Sequence, residues 1–378
     1  MKKVCLVTTS PLIVNFFLVP YLASLRQAYR ISLVVNADEG TPLPDEPGIE
    51  VINVPLLRKI VPWSDLLALL RMVCLFREKR FDAIHSFSPK AGLLAMMAGY
   101  MAGVPVRMHT YTGQVWVTRA GIMRLVLVAA DRAIARFSTH LLADSHSQQR
   151  ALIGSGIVPH PEKCQVLASG SVSGVDTERF RPDRHAREAV RRDLEIAADA
   201  PVFLFLGRLT RDKGVLDLAS AFSDLAVNDP RLILLFVGPD EERMRPQIET
   251  LCQASAGQLR FVGYTRTPER YLAAADVLCL PSYREGFGST IIEAAAVGVP
   301  AIGSRIYGIT DAVVDGKTGL LHAPGNPAEL KEKMKMLIED PALRARLGGH
   351  ARHRAIDEFS QPQVIQALLA YYRGALGE

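Results

Sequence analysis

Two kinds of apolar run alternate along the chain, and their alternation predicts the architecture. Short, nearly continuous apolar or β-branched runs at 3–8, 31–35, 51–54, 83–86, 106–109, 140–143 and 164–167 read as strands. Between them, apolar positions at helical spacing predict helices over 16–28, 63–79, 90–102, 123–136 and 145–153. Strands without polar alternation, separated by helices, belong to a parallel sheet covered on both faces. A polar, arginine-rich stretch at 176–200 interrupts the rhythm and reads as a linker, with a short helix possible at 187–195. The pattern then restarts, with strands at 202–206, 232–237, 259–261, 277–280, 300–303 and 319–321 and helices at 214–225, 244–253, 268–274 and 289–297. Helices at 328–338, 341–359 and 364–376 close the chain. The expected class is α/β: two strand-and-helix domains facing each other across a cleft, with ligand at the carboxyl ends of the strands.

Composition narrows the picture. At 378 residues, two domains are the natural division, and 49% hydrophobic with 22% charged residues is globular. Residues 1–195 hold 24 Lys and Arg against 17 Asp and Glu, so the net charge of +5 is concentrated in the first half. Such a half suits an anionic membrane surface, an anionic substrate or a plain solvated surface. No zinc-finger spacing, basic heptad region or aromatic RNA-binding segment is present, which argues against a nucleic-acid polymer as partner. Five scattered cysteines without any CxxC fit a reducing compartment and neither a disulfide framework nor a structural zinc site. The opening apolar run stops at Thr8-Thr9-Ser10-Pro11 and reads as a first strand rather than a signal peptide. The apolar stretch 122–135 contains Arg124, Asp131 and Arg132 and is too short to span a bilayer.

Two constellations carry chemistry. Gly207-Arg208-Leu209-Thr210-Arg211-Asp212-Lys213-Gly214 leaves a strand and enters a helix. Its glycines permit tight turns, and Arg208 and Lys213 suit an anion held near helix N–H groups. An ordinary charged turn is the competing reading, and GxxxxGK[ST] occurs nowhere. The second constellation runs from Pro281 through Glu285-Gly286-Phe287-Gly288-Ser289-Thr290 to Glu293 and follows the strand at 277–280. Carboxylates accept several O–H hydrogen bonds at once, so Glu285 and Glu293 suit a polyol. Taken alone, Glu285 also reads as a solvent-facing loop acid and Glu293 as an ordinary helix residue bonded to backbone.

The Glu285 and Glu293 pair, seven residues between them, preceded by Pro281-Ser282 and followed by Ala294-Ala295-Ala296-Val297-Gly298-Val299-Pro300, resembles the EX7E signature of retaining glycosyltransferases of family 4. Gly207-Arg208-Leu209 with Lys213-Gly214 resembles that family's pyrophosphate segment, and Asp315 through Leu321 its DGxTGLL stretch. In the first half, His85 through Gly92 and His109 through Trp116 resemble segments of bacterial transferases that extend undecaprenyl-diphosphate-linked sugars for O-antigen, capsule or N-glycan precursors. Ala143-Asp144-Ser145 and Gly174-Val175-Asp176 are similar to further landmarks. Two features depart: the loop after the first strand, Thr9 to Asn15, lacks the usual glycine pair, and Gly170 to Asp176 replaces Pro-Asn-Gly-Val-Asp.

The resemblance implies the GT-B fold, with an acceptor-side domain at 1–185, a donor domain at 186–355 and a C-terminal helix, 356–378, returning to the first. It implies that Arg208 and Lys213 hold the donor diphosphate, Glu285 the donor sugar and Glu293 the ribose. Gly286, Phe287 and Gly288 would shape the turn, Ser289 and Thr290 would offer N–H groups, and His109 would lie near the transferred sugar. The implied catalytic set is His109, Glu285, Arg208 and Lys213, with no cofactor, no essential metal and a UDP-linked donor, best guessed as an N-acetylhexosamine (GalNAc or GlcNAc). The implied partners are a lipid-diphosphate-linked saccharide acceptor and an anionic membrane surface, at the cytoplasmic face of the bacterial inner membrane. A GT-B epimerase, a phosphorylase-like enzyme and a non-catalytic nucleotide-sugar binder are the alternatives. Segment 56–80 alternates Trp63, Leu66, Leu69, Leu70, Met72, Val73 and Phe76 with Arg58, Lys59, Arg71, Arg77, Lys79 and Arg80. It reads either as a surface that meets lipid or as a helix whose apolar residues pack on the sheet.

Overall fold

The computed structural model describes residues 1–37, 42–43, 47–57 and 59–378, and the chain forms two compact units. The first comprises Met1–Ser173 with Gln361–Glu378, and the second Gly174–Ser360. The division falls before the expected boundary at 185/186 because the stretch read as a linker is built into the second unit. Phe180 and Val190 are buried there, the Val175 N–H donates to the Phe359 carbonyl, and Arg187 and Arg191 both grip Asp276. Asp183 caps the helix Arg184–Asp193 by accepting from the Ala186 N–H.

The first unit holds a seven-stranded parallel sheet ordered β3-β2-β1-β4-β5-β6-β7. Its strands are β1 Lys3–Val7, β2 Arg30–Val35, β3 Glu50–Asn53, β4 Ala83–Phe87, β5 Val106–Tyr111, β6 His140–Ala143 and β7 Cys164–Val166. β1 and β4 pair in register from Val4 with Ala83 to Val7 with Ser86. Helices Pro62–Lys79, Pro89–Ala102 and Gly121–Phe137 cover one face through a core containing Met72, Phe76, Met96 and Ile134. Helices Val19–Ala28 and Gln361–Leu376 share a second core with Leu6, Leu33 and Met108. The last helix is pinned there by Tyr372, whose hydroxyl meets His85 Nδ1 at 2.7 Å, while Thr110 Oγ1 meets the other ring nitrogen at 2.7 Å.

The second unit holds a six-stranded parallel sheet ordered β10-β9-β8-β11-β12-β13. These are β8 Val202–Leu206, β9 Ile233–Val237, β10 Leu259–Val262, β11 Val277–Leu280, β12 Ala301–Ser304 and β13 Gly319–His322. Buried on both faces, β8, β9 and β11 are the apolar runs seen in the sequence. Each unit is thus Rossmann-like, with its strand order reversing beside its own first strand: between β1 and β4, and between β8 and β11.

The helix expected at 16–28 differs at its start. Ser10 accepts from the Leu12 N–H, a turn follows at Pro11–Ile13, and Val14–Leu18 continues as a π-helix before Val19–Ala28. The loop without glycines therefore winds into wide helix directly after β1.

Candidate active site

In the second unit, the turns after β8 and β11 meet at the point where the strand order reverses. Gly214, at φ +68°, lies so close to the Pro281 carbonyl that a Cβ would sit 2.0 Å from its oxygen. Only glycine fits both the left-handed backbone and that approach. The Tyr283 N–H donates to the Asp212 carbonyl at 2.9 Å, and Arg284 Nε donates to Asp212 Oδ2 at 2.9 Å. These contacts fix one turn against the other.

Lys213 pairs with Glu285 Oε1, which also accepts from Ser282 Oγ at 2.8 Å. The fold therefore brings together two residues singled out 72 positions apart. Arg208 stands at the rim, half exposed, and its Nη1 lies 2.8 Å from Glu241 Oε2. Glu241 was not anticipated. It sits in Pro239-Asp240-Glu241-Glu242 after β9, where the Pro239 carbonyl accepts from the Leu209 N–H and Glu242 from the Arg211 N–H. An acid-rich turn after a strand next to β8 was the available signal.

Helix Ser289–Val297 follows Gly288, whose φ of +76° ends the turn without a side-chain cap. Its first N–H groups, those of Ser289 and Thr290, thus open the helix as an anion-favouring end. Gly286 is held by the neighbouring turn at Gly308, where a Cβ would lie 2.6 Å from the Gly286 carbonyl oxygen. Phe287 is different: its side chain is buried and packs on Phe359 at 5.2 Å between ring centres. Any contact it makes with a ligand runs through its backbone.

Glu293 lies one turn into that helix, partly open to solvent yet closely surrounded by protein. Burial pushes its carboxyl up to about 7, with Arg179 opposing and Glu269 reinforcing the shift. Arg179 is itself held by Glu269 at 2.9 Å and by the Arg266 carbonyl. The Asp315 to Leu321 stretch is structural in its contacts: Asp315 accepts from the Leu321 N–H and pairs with Arg305 at 2.7 Å.

In the first unit, His109 lies inside β5 rather than at its end, because the strand continues to Tyr111. Ser86 Oγ lies 2.9 Å from its Nδ1, Tyr111 meets the ring edge-on, and a Cβ on Gly92 would lie 2.4 Å from ring carbon Cε1. Burial lowers its pKa to about 3, so the imidazole is neutral at ordinary pH. Nearby strand ends carry buried polar atoms without hydrogen-bond partners: Thr8 Oγ1 after β1, Asn36 Oδ1 after β2 and Asp144 Oδ1 after β6. Among the described residues, no group of three or more His, Cys, Asp or Glu side chains is arranged to hold a metal ion.

The segment read as a possible lipid surface divides. Arg58 lies outside the described residues. Ala68, Met72, Val73 and Phe76 pack inward, whereas Trp63, Leu66, Leu67 and Leu70 are exposed. No helix among the described residues is long and apolar enough to cross a membrane.

Residues 186–354 match the glycosyl transferases group 1 family, and residues 18–170 match the glycosyl transferase 4-like domain. The capsular polysaccharide biosynthesis glycosyltransferase CapM of Staphylococcus aureus is 29% identical over 86% of this chain and 85% of its own. A D-inositol 3-phosphate glycosyltransferase of Frankia alni is 30% identical over 78% of this chain and 75% of its own. The Escherichia coli UDP-Gal:alpha-D-GlcNAc-diphosphoundecaprenol alpha-1,3-galactosyltransferase is 28% identical over 92% and 89%. Among solved structures, sucrose-phosphate synthase from Thermosynechococcus elongatus superposes with a TM-score of 0.85 at 22% identity, covering 100% of both chains. Anabaena HepE in complex with UDP-glucose gives 0.80 at 21%, covering 99% of this chain and 100% of the other. The chain belongs to the group 1 glycosyl transferases, with a glycosyl transferase 4-like first domain and the GT-B fold, and is a glycosyltransferase related to those of bacterial surface glycans.

Proposed function

We propose that the enzyme transfers a sugar from a UDP-linked donor to an undecaprenyl-diphosphate-linked saccharide, with retention at the anomeric carbon, in bacterial surface-glycan synthesis. The observation that carries this reading is the cluster of Lys213, Glu285 and Ser282 where the sheet order reverses, beside the open helix end at Ser289. It joins a cation and N–H groups suited to a diphosphate with a carboxylate suited to sugar hydroxyls. Two comparisons support the chemistry: HepE binds UDP-glucose, and the E. coli relative is named for a UDP-Gal donor and a GlcNAc-diphosphoundecaprenol acceptor. An N-acetylhexosamine, GalNAc or GlcNAc, is the proposed group transferred.

In this reading Arg208 and Lys213 hold the diphosphate, Glu285 the donor sugar, Glu293 the ribose, and neutral His109 meets the transferred sugar. The bond from the anomeric carbon to the diphosphate oxygen breaks as the acceptor oxygen bonds to that carbon from the same face. The acceptor's proton passes to the departing phosphate oxygen. Charge develops on the diphosphate, where Arg208, Lys213 and the N–H groups of Ser289 and Thr290 stabilise it. No metal or cofactor is assigned a part. The acceptor places the enzyme at the inner face of the bacterial inner membrane, attached through the first unit and its basic segment 56–80. A matrix of nucleotide sugars against short prenyl-diphosphate-linked saccharides, read by mass spectrometry, tests the proposal. A chain-extended product from a UDP-N-acetylhexosamine is expected. Transfer only to soluble acceptors, or acceptor-free formation of an epimeric nucleotide sugar, would overturn it.

A further inference from the structure

Between β5 and the helix Gly121–Phe137 the chain does not turn directly back. Residues 112–120 form a loop at the carboxyl end of the strand that carries His109, with a single 3-10 turn at Val115–Thr118. Loops at this end of a parallel sheet are where ligands are met, and a scaffold has to hold them in shape. This loop is fastened at two points. The first is Gln114, which is buried: its Oε1 accepts from Gln148 Nε2 at 3.3 Å, while Gln148 Oε1 accepts from the Asp144 N–H at the end of β6.

The second fastening is Trp116. Its ring is buried, and Nε1 donates to Asp131 Oδ2 at 2.8 Å. The Arg124 guanidinium lies 5.6 Å from the ring centre. Asp131 belongs to the helix that follows the loop, and its backbone carbonyl accepts from the hydroxyl of Tyr111, the last residue of β5, at 2.8 Å. One helix residue thus ties down both the strand before the loop and the loop itself.

Packing does not require this carboxyl. It is the one acid of its helix and is buried, and burial raises it to about 6 against the opposing effect of the Trp116 hydrogen bond. An apolar side chain of similar size would fill the space without desolvating a charge. What the carboxyl adds is direction, because it receives the indole N–H at one place and so fixes the path of the loop.

The chemistry that the loop presents is also selective. Thr112 through Thr118 carry no charge, whereas Lys213 and Arg208 border the turns of the second unit. Thr112 and Val115 are half-buried and Val117 is exposed. Hydroxyl groups beside small apolar side chains suit the O–H and C–H faces of an uncharged sugar rather than a diphosphate.

We propose that Trp116 and Asp131 are positioning residues whose hydrogen bond holds loop 112–120 in the shape that receives the acceptor saccharide. They act through the loop and not on the reacting atoms. This rests on the reading of a saccharide acceptor above and names the pair that sets acceptor affinity.

The test is steady-state kinetics with donor and acceptor varied separately. Trp116→Phe keeps an aromatic ring and removes the N–H, and Asp131→Leu keeps roughly the volume and removes the acceptor oxygen. Each should lower kcat/KM for the acceptor about tenfold or more through KM, with donor KM and UDP binding within about twofold of wild type. The double variant should be no worse than either single one, since both remove the same contact. Asp131→Asn, whose amide oxygen still accepts the indole proton, should recover most of the acceptor affinity. Met72→Ala, a truncation in the same core, should lower Tm without moving the acceptor KM. Trp63 and Trp116 are the chain's two tryptophans, so emission in a Trp63→Phe background reports the loop alone. It should shift to the red in Asp131→Leu and stay in place in Asp131→Asn. Unchanged acceptor KM in Trp116→Phe and Asp131→Leu overturns the proposal. So does an equal rise in donor and acceptor KM, or a rise of the same size in Met72→Ala, since either is what general loosening would produce. If no diphosphate-linked saccharide is extended while a soluble saccharide acceptor shows the Trp116→Phe loss, the lipid-linked acceptor reading fails and the positioning pair stands.

Discussion

The two sheets share a strand order that reverses beside the first strand of each unit, yet the turns at the two reversal points are chemically unlike. In the second unit the turns are charged and mutually paired: Lys213 with Glu285, Arg284 with Asp212, Arg208 with Glu241. In the first, the residues that face each other across the reversal are uncharged. Thr9 Oγ1 lies 3.3 Å from Ser88 Oγ across the reversal, and His85 and His109 lie within the adjoining strands as neutral rings. One architecture thus carries two electrostatic settings. Cations belong where a diphosphate leaves, whereas buried hydroxyl, amide and carboxyl oxygens without partners suit an uncharged polyol.

The largest effect is expected at the paired charges. Lys213→Ala and Glu285→Gln should each lower kcat/KM by about 100-fold or more, the scale of removing a preorganised group from the site of developing charge. Glu285→Gln should still bind free nucleoside diphosphate in calorimetry, since its assigned partner is the sugar. Normal turnover in both variants would show that the charged edge is not where the reaction occurs.

A second contrast concerns acid. Burial lowers His85 and His109 to about 3, below the ordinary value of about 6.5 that each regains on unfolding. The unfolded chain therefore takes up protons that the native first unit refuses, and stability falls as pH drops below about 6.5 towards 3. Each histidine contributes up to about 1.4 kcal/mol per pH unit in that window. Hydrogen exchange at pH 7 and pH 5 should show greater loss of protection in β4 and β5 than in β8 and β11. Equal loss in both sheets would place the acid sensitivity elsewhere.

Arg208 should matter less than Lys213. It is half exposed and already engaged by Glu241 at the rim, so Arg208→Ala is expected to cost about tenfold in kcat/KM. Glu241→Gln should leave turnover at or above wild type, because it frees the guanidinium. A loss in Glu241→Gln equal to that in Arg208→Ala would mean that the pair acts as a unit.

How far this was legible in the sequence depended on whether one residue or several fixed the outcome. Strands such as β6, β8 and β11 were readable to the residue because buried parallel strands are continuous apolar runs. The turns that carry Lys213 and Glu285 and the helix start at Ser289 were legible because glycines mark turns that leave strands, whereas the roles proposed for the two side chains come from the family resemblance. Three features were not. The arginines of 176–200 look solvated in sequence, yet Arg191 is buried because a distant acid, Asp276, and the Ala197, Ala198, Ala200 and Ala274 carbonyls receive it. Glu241 belongs to an unremarked turn and gains its partner only through the pairing of β8 with β9. Which apolar residues of Pro62–Lys79 face outward was left undecided because periodicity shows that a helix has apolar residues on two sides, not which side the sheet takes.

The smallest expected effect is the most discriminating, because it separates binding of the nucleoside from chemistry on the sugar. Glu293 titrates near 7, raised from about 4.5 mainly by burial, and the proposed ribose contact needs its ionised form to accept two hydroxyl hydrogens. With a pKa of about 7, the ionised fraction rises from about one-tenth at pH 6 to about nine-tenths at pH 8. UDP should therefore bind up to about ninefold more tightly at pH 8 than at pH 6. The phosphate also titrates near that range, so the informative quantity is the difference between wild type and Glu293→Gln measured by calorimetry at both pH values. The variant should bind weakly at both and keep only the shallow dependence due to the ligand. Folding gives an independent sign. A carboxyl raised on folding weakens the native state as pH climbs from about 4.5 to 7, so Glu293→Gln should melt no lower than wild type at pH 8. A variant that retains the full pH dependence of wild type would move the ribose contact away from Glu293 and leave the paired charges at Lys213 and Glu285 to explain donor binding alone.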